Sequence, residues 1–79
     1  MSNKFIIEVI HSADWYAAKN QNDEYIVVEV MGYSFDMGDS ILVRDDLTIY
    51  NETKDEYTLS VLQAEGIGRS GAVNFLQNL

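Results

Sequence analysis

From Lys4 to Val61 the chain alternates apolar and polar positions in short stretches, and each stretch is bounded by turn-forming residues. That alternation, in runs rich in Ile, Val, Phe and Tyr, predicts β-strands. Residues 4–11 place Phe5, Ile7 and Val9 on one face and Ile6, Glu8 and Ile10 on the other. Residues 14–19 predict a second, shorter strand in which Ala17-Ala18 weakens the signal. Asn20-Gln21-Asn22-Asp23 reads as a turn. Residues 24–31 give the clearest strand, with Ile26, Val28 and Val30 opposed to Tyr25, Val27 and Glu29. An irregular loop carrying Tyr33 and Phe35 follows. Ser40–Arg44 and Leu47–Tyr50 are two further strands joined at Asp45-Asp46, and Asn51–Glu56 is a polar turn. Residues 57–63 set Tyr57, Leu59 and Val61 against Thr58, Ser60 and Leu62.

After Gly66 the period changes from two to about 3.6. Ala72, Phe75, Leu76 and Leu79 share one face of a short helix, with Ser70 as the expected N-cap. The predicted fold is mostly β: five or six short antiparallel strands and a C-terminal helix. It is either a partly open barrel of the SH3-like or OB-like kind or a strongly bent sheet with the helix plugging one end.

Length sets this as a single domain of 79 residues with little core volume to give up to a deep cleft. There is no cysteine and one histidine, so a disulfide staple and a Cys/His zinc site are both excluded. Met1-Ser2-Asn3-Lys4-Phe5 lacks the pattern of a secretion signal, and no apolar run approaches a membrane span. The expected location is the cytoplasm, where the Asn51-Glu52-Thr53 glycosylation triplet is a chance match. Nine aromatic residues and 47% hydrophobic content argue against disorder.

The net charge of −8 is concentrated in the middle of the chain. Residues 23–65 hold eleven of the thirteen acids, opposed only by Arg44 and Lys54. Such a surface repels nucleic-acid backbones and anionic membranes and attracts a basic protein surface.

The motifs that suggest catalysis are each incomplete. Gly66-Ile67-Gly68-Arg69-Ser70-Gly71 fits the dinucleotide fingerprint locally, but the second strand and the later acid that the fingerprint requires do not follow. The plain reading is a strand-to-helix turn. His11 stands beside Ser12 and near Asp14, but neighbours on one strand mostly point apart, so a strand-end histidine is expected. Asp36-Met37-Gly38-Asp39 and Asp45-Asp46 lack calcium-loop spacing and read as turns. No cofactor, no metal and no enzymatic activity is expected.

The sum of acids and aromatics is more informative. Strands 24–31, 40–50 and 57–63 should share a sheet, which gathers the acids at its ends together with Tyr25, Tyr33, Phe35 and Tyr50. Asp36, Asp39, Asp45, Asp46, Asp55 and Glu56 are the expected charge contacts, and Tyr33, Phe35 and Tyr50 the expected anchors, for a protein partner. The plain reading of the charge is solubility.

Gly38-Asp39-x-Ile41, Tyr50-Asn51-x-Thr53 and Tyr57-x-Leu59-x-Val61, with the short helix behind them, resemble small bacterial and phage β-domain proteins that carry Gly-Asp and Tyr-Asn-x-Thr turns. In size and acidity the chain is also similar in type to phage-encoded inhibitors of restriction or CRISPR systems. That resemblance assigns no individual residue. The acids lead to the main expectation, a non-catalytic binding protein that docks on a basic surface: in its sharpest form an inhibitor whose carboxylates imitate phosphates on a nucleic-acid-handling protein, or an immunity protein or antitoxin. The alternative is a small structural or regulatory module that self-associates, as a homodimer, through an open edge strand or through Phe75, Leu76 and Leu79.

Overall fold

The computed structural model describes residues 3–12, 14–44 and 48–79. Six strands and one helix follow in order: β1 Lys4–Ile10, β2 Trp15–Lys19, β3 Tyr25–Val30, β4 Ser40–Val43, β5 Thr48–Asn51, β6 Glu56–Ile67 and α1 Arg69–Gln77. Two three-stranded meanders, β1-β2-β3 and β4-β5-β6, join antiparallel through β1–β4 and β3–β6. The sheet therefore closes into a barrel in the order β1-β2-β3-β6-β5-β4, and each described strand is paired on both sides. Closure removes the open edge that the strand pattern left available.

Side-chain amides set the tight connections. In the β2–β3 turn, Asn20 Oδ1 accepts from the Asn22 and Glu24 amides at 2.9 and 3.0 Å. In the β5–β6 turn, Asn51 Oδ1 accepts from the Thr53 and Lys54 amides at 3.0 and 3.2 Å. These Asx-type bonds replace ladder bonds where the chain reverses.

Among the described residues there are two cores. Ile7, Tyr16, Ala18, Ile26, Val28, Val30, Phe35, Ile41 and Ile49 fill the barrel. Ala17, Tyr25 and Val27, on the outward side of β2 and β3, pack with Ala72 and Leu76 of α1. The β2–β3 wall is thus buried on both faces, which is why Tyr25–Val30 carries almost no polar side chain. Burial on both sides also overrides the weak strand propensity of Ala17-Ala18: small residues let the helix approach on one side and leave barrel volume on the other.

The helix does not plug an end of the barrel. It lies along the outer wall, with Phe75 ring-to-ring with Trp15 at 6.3 Å. Its N-cap is Gly68, not Ser70, and no side chain caps it. Leu79 lies beyond the helix and is exposed.

A bulge corrects one expected face, and bulges in β6 divide that strand between the two cores. The β1–β2 register steps from Ile7↔Ala18 to Val9↔Ala17, so the extra residue turns Val9 outward toward the helix. The β3–β6 register steps from Val27↔Ala64 to Val28↔Leu62. Leu62 packs against the barrel core, whereas Ala64 and Ile67 pack under the helix. Before the irregular part of its pairing with β3, β6 points Thr58, Ser60 and Leu62 inward, so Tyr57, Leu59 and Val61 face out.

Among the described residues, no helix is long and apolar enough to cross a membrane.

Candidate binding face

The loop after β3 leaves the sheet at Gly32 and returns through Gly38, both at positive φ, and between them it turns Phe35 into the barrel. Phe35 meets Tyr16 and Tyr33 edge-on, each at 5.0 Å between ring centroids. Its amide donates to the Tyr16 hydroxyl at 3.2 Å. Phe35 therefore seals this end of the barrel as a core residue. The expectation that it anchors a partner on the surface is corrected, as is the surface reading of Tyr25, which is buried under α1.

Asp39 is also buried, at 3% exposure. Its backbone joins the sheet: the Ile7 amide donates to the Asp39 carbonyl and the Gly38 amide to the Ile7 carbonyl, both at 2.9 Å. The carboxylate accepts from the Asp36 amide at 3.0 Å and from Asn51 Nδ2 at 2.8 Å, with Lys54 Nζ 3.4 Å away. Burial alone would push the carboxyl up; these donors and the lysine more than offset it and hold it below the usual range. Asp39 is an internal acid of the fold, not a free charge for docking.

Asn51 is fully buried and uses its whole hydrogen-bonding capacity. Its Nδ2 donates to Asp39 and, at 3.1 Å, to the Tyr33 hydroxyl, and its Oδ1 takes the two turn amides. This burial removes Asn51 from reach as a glycosylation acceptor in the folded chain. Tyr33 in turn donates to Glu56 Oε1 at 2.7 Å. Burial and the Glu56 acceptor both raise the phenol above its ordinary value. Lys54 lies over this group: Nζ is 2.9 Å from Asp36 Oδ2, 3.4 Å from the Ser34 carbonyl and 6.0 Å from the Tyr33 ring centroid. Its bond to Asp36, with the nearby Asp39 charge, raises the ammonium pKa against the opposing effect of burial.

The fold thus brings Tyr33, Asp36, Asp39 and Glu56 into one network and sets Tyr50 and Asp55 at its edge. Tyr50 donates to Asp55 Oδ1, which keeps the phenol protonated above its usual value. On the same turn, Glu52 accepts from Ser40 Oγ at 2.6 Å and lies 3.5 Å from Lys4 Nζ; those partners lower its pKa. Asp36, Glu52, Asp55 and Glu56 remain exposed at this end. Asp45 and Asp46, also expected as contacts, and Leu47 lie outside the described residues.

Sequence reasoning missed two features. Asn51 and Lys54, which organise the network, carried no expected role; the Tyr-Asn-x-Thr turn was the available signal. The second is the outward face of β4–β5–β6. Register aligns Leu42 with Tyr50 and Tyr50 with Tyr57, and the two Tyr rings are 4.7 Å apart. Thr48 pairs with Leu59, and Val61 with Glu29. Tyr57, Leu59 and Val61 are 64%, 68% and 45% exposed, and Met31, just past the end of β3, is 73% exposed.

The remaining motifs have structural places. His11, Ser12 and Asp14 lie exposed in the β1–β2 connection, where the His11 amide donates to the Trp15 carbonyl at 3.0 Å. In the glycine-rich stretch, Gly66 takes a positive φ and Arg69 Nη1 reaches the Tyr25 hydroxyl at 3.3 Å and Glu8 at 3.5 Å, which ties the helix start to β1 and β3. Comparison of the chain with protein-family models, with curated proteins and with solved structures finds no match.

Proposed function

We propose that this is a non-catalytic binding protein whose acidic end docks on a basic surface of a partner protein. In its sharpest form it is an inhibitor that occupies the surface by which a partner holds nucleic acid, of the anti-CRISPR, anti-restriction, immunity-protein or antitoxin type. One observation carries the reading: Asp36, Glu52, Asp55 and Glu56 converge on one end of the barrel, while the cations beside them, Lys54 and Lys4, are already engaged by Asp36, Asp39 and Glu52. The uncancelled field is negative and steers a positive surface toward that end.

The test is capture of partners by the tagged chain from lysate of its host, washed at low and then high salt, beside a variant carrying Glu52→Lys, Asp55→Asn and Glu56→Lys. Asn is chosen at position 55 because that residue has a positive φ, which Asn tolerates. The expected result is a basic, nucleic-acid-handling partner that salt releases and the variant fails to hold. Undiminished capture by a folded variant refutes the reading.

The second reading, a self-associating module, is favoured by the exposed Tyr57–Leu59–Val61 stripe. Its other two routes are weak, because the barrel is closed and Leu76 is spent on the chain's own wall.

A further inference from the structure

Helix α1 covers the outside of β2, β3 and the last residues of β6. The opposite wall carries Leu42, Tyr50, Tyr57, Leu59 and Val61 outward, with Met31 at its border. The exposed part of these side chains is on the order of 500 Å², toward the upper end of what a monomer ordinarily leaves in one patch. The paired backbone of the sheet is already ordered, so covering it orders side chains alone, and Tyr and Met are enriched at the cores of interfaces.

We propose that this wall is the core of the docking site, and that its occupant is a protein surface built in complement: an apolar centre flanked by lysines or arginines. The inference rests on the acidic-docking reading above and adds the apolar centre to it.

Charge decides among occupants. Glu29 borders the stripe beside Val61, and Glu52, Asp55 and Glu56 border it beyond Tyr57. A second copy seated face to face would bring these same carboxylates against each other, with a net charge of −8 on each chain. Nucleic acid would meet the same repulsion and leave the apolar centre against sugar and phosphate. The border also holds Arg44, whose amide donates to the Thr48 carbonyl, and Lys4, opposite Leu42 and paired with Glu52; the carboxylates outnumber these cations, so a basic-rimmed protein surface satisfies the centre and the border best. A pure phosphate mimic would need no such centre, so the partner's site must hold apolar side chains among its basic ones.

Three synthetic helical peptides test this on the full ¹⁵N-labelled chain: one amphipathic with Leu, Trp and Lys; one with its Leu and Trp replaced by Ser; one with its Lys replaced by Glu. The first is expected to shift the amides of Thr48–Tyr50 and Tyr57–Val61 saturably. The double variant Leu59→Ser/Val61→Thr should weaken it at least about tenfold. The Lys/Ser peptide should bind more weakly, near Glu52–Glu56, and be released by about 0.3 M salt, where screening is short-ranged. The acidic peptide should not bind.

Equal affinity in Leu59→Ser/Val61→Thr, or shifts centred on α1, overturns the apolar core and leaves acidic docking standing if Glu52→Lys/Glu56→Lys still weakens both basic peptides. No binding by either basic peptide overturns both. A dimer at micromolar concentration that Leu59→Ser abolishes makes a second copy the occupant and also overturns the inference.

Discussion

Replacing Asn51 with alanine should unfold much of what holds the acidic end together. In the native chain Nδ2 of Asn51 is the neutral donor to a buried carboxylate, at 2.8 Å from Asp39, and its second hydrogen serves the Tyr33 hydroxyl. Alanine leaves Asp39 with the Asp36 amide and Lys54. Loss of a hydrogen bond to a buried charged group costs about 1.5–3 kcal/mol, and a neutral bond lost beside it about 1 kcal/mol. The orphaned turn amides of Thr53 and Lys54 lie near solvent and add little. The expected loss is about 3 kcal/mol, against a total of roughly 4–12 kcal/mol for a chain this long. In thermal unfolding followed by circular dichroism at pH 7, that corresponds to a fall in Tm of about 12–24 °C. Asn51→Asp should be worse at neutral pH, since it sets a second carboxylate against Asp39, and its penalty should shrink as acid protonates one of the pair. In an Asp39→Ala background the cost of Asn51→Ala should drop to about 1 kcal/mol, because the charge needing a donor is gone. A loss below about 1 kcal/mol in the single variant, or full additivity in the double, would refute the view that this amide sustains a buried charge.

Phe35→Ala should cost about 3–5 kcal/mol in urea unfolding, as it empties the sealed end of the barrel and strands Tyr16 and Tyr33; a surface-sized effect would show that the ring is not core. Asp39 has a folded pKa below its unfolded value near 3.8, so its stabilisation is present above that value and is lost as pH falls through the folded value. Urea midpoints measured from pH 6 down to pH 2 should fall less steeply in Asp39→Asn than in the parent chain. Lys54 has a raised pKa, so its contribution is present below about 10.5 and is lost as pH rises through the higher folded value; Lys54→Met should flatten the alkaline limb. Two glycines should respond with opposite sign. Gly38→Ala meets open space but a φ of +84°, and should cost about 1–2 kcal/mol. Gly71→Ala lies inside α1 with its new Cβ 3.5 Å from Ile67 Cβ, an ordinary contact, and should gain about 0.5–1 kcal/mol in the same thermal assay.

The strands and the helix were legible because each is written in a local period. Alternation in Tyr25–Val30 and Ser40–Val43, and the 3.6-residue recurrence of Ala72 and Leu76, survive any tertiary arrangement. Closure was not legible, since it depends on β1–β4 and β3–β6 pairings that no local pattern records. Bulges were invisible for a related reason: Val9 looks like a partner of Ile7 until the partner strand supplies one residue too few. Phe35 and Asp39 look like surface residues because loops generally are on the surface; only the turn of the chain back under the barrel end hides them. Net charge told of an acidic region, but not that Lys54 cancels part of it from within.

The exposed stripe on β6 follows from that buried network. On β5 the inward residues are Ile49 and Asn51, and Tyr50 points out. Opposed residues of an antiparallel pair share a face, so Ile49↔Thr58 sends Thr58 inward and Tyr50↔Tyr57 sends Tyr57 outward. Val30↔Ser60 on the other side of β6 agrees. A slip of one residue between β5 and β6 would reverse this, burying Tyr57, Leu59 and Val61 and exposing Thr58, Ser60 and Leu62. By hydrophobicity alone that slipped register would be preferred. What opposes it is Asn51, whose Oδ1 holds the turn amides of Thr53 and Lys54 while its Nδ2 holds Asp39. The turn length is thereby fixed, and with it the register. The polar network at the barrel end and the apolar wall beside it are consequently one construction: the first keeps the second facing outward.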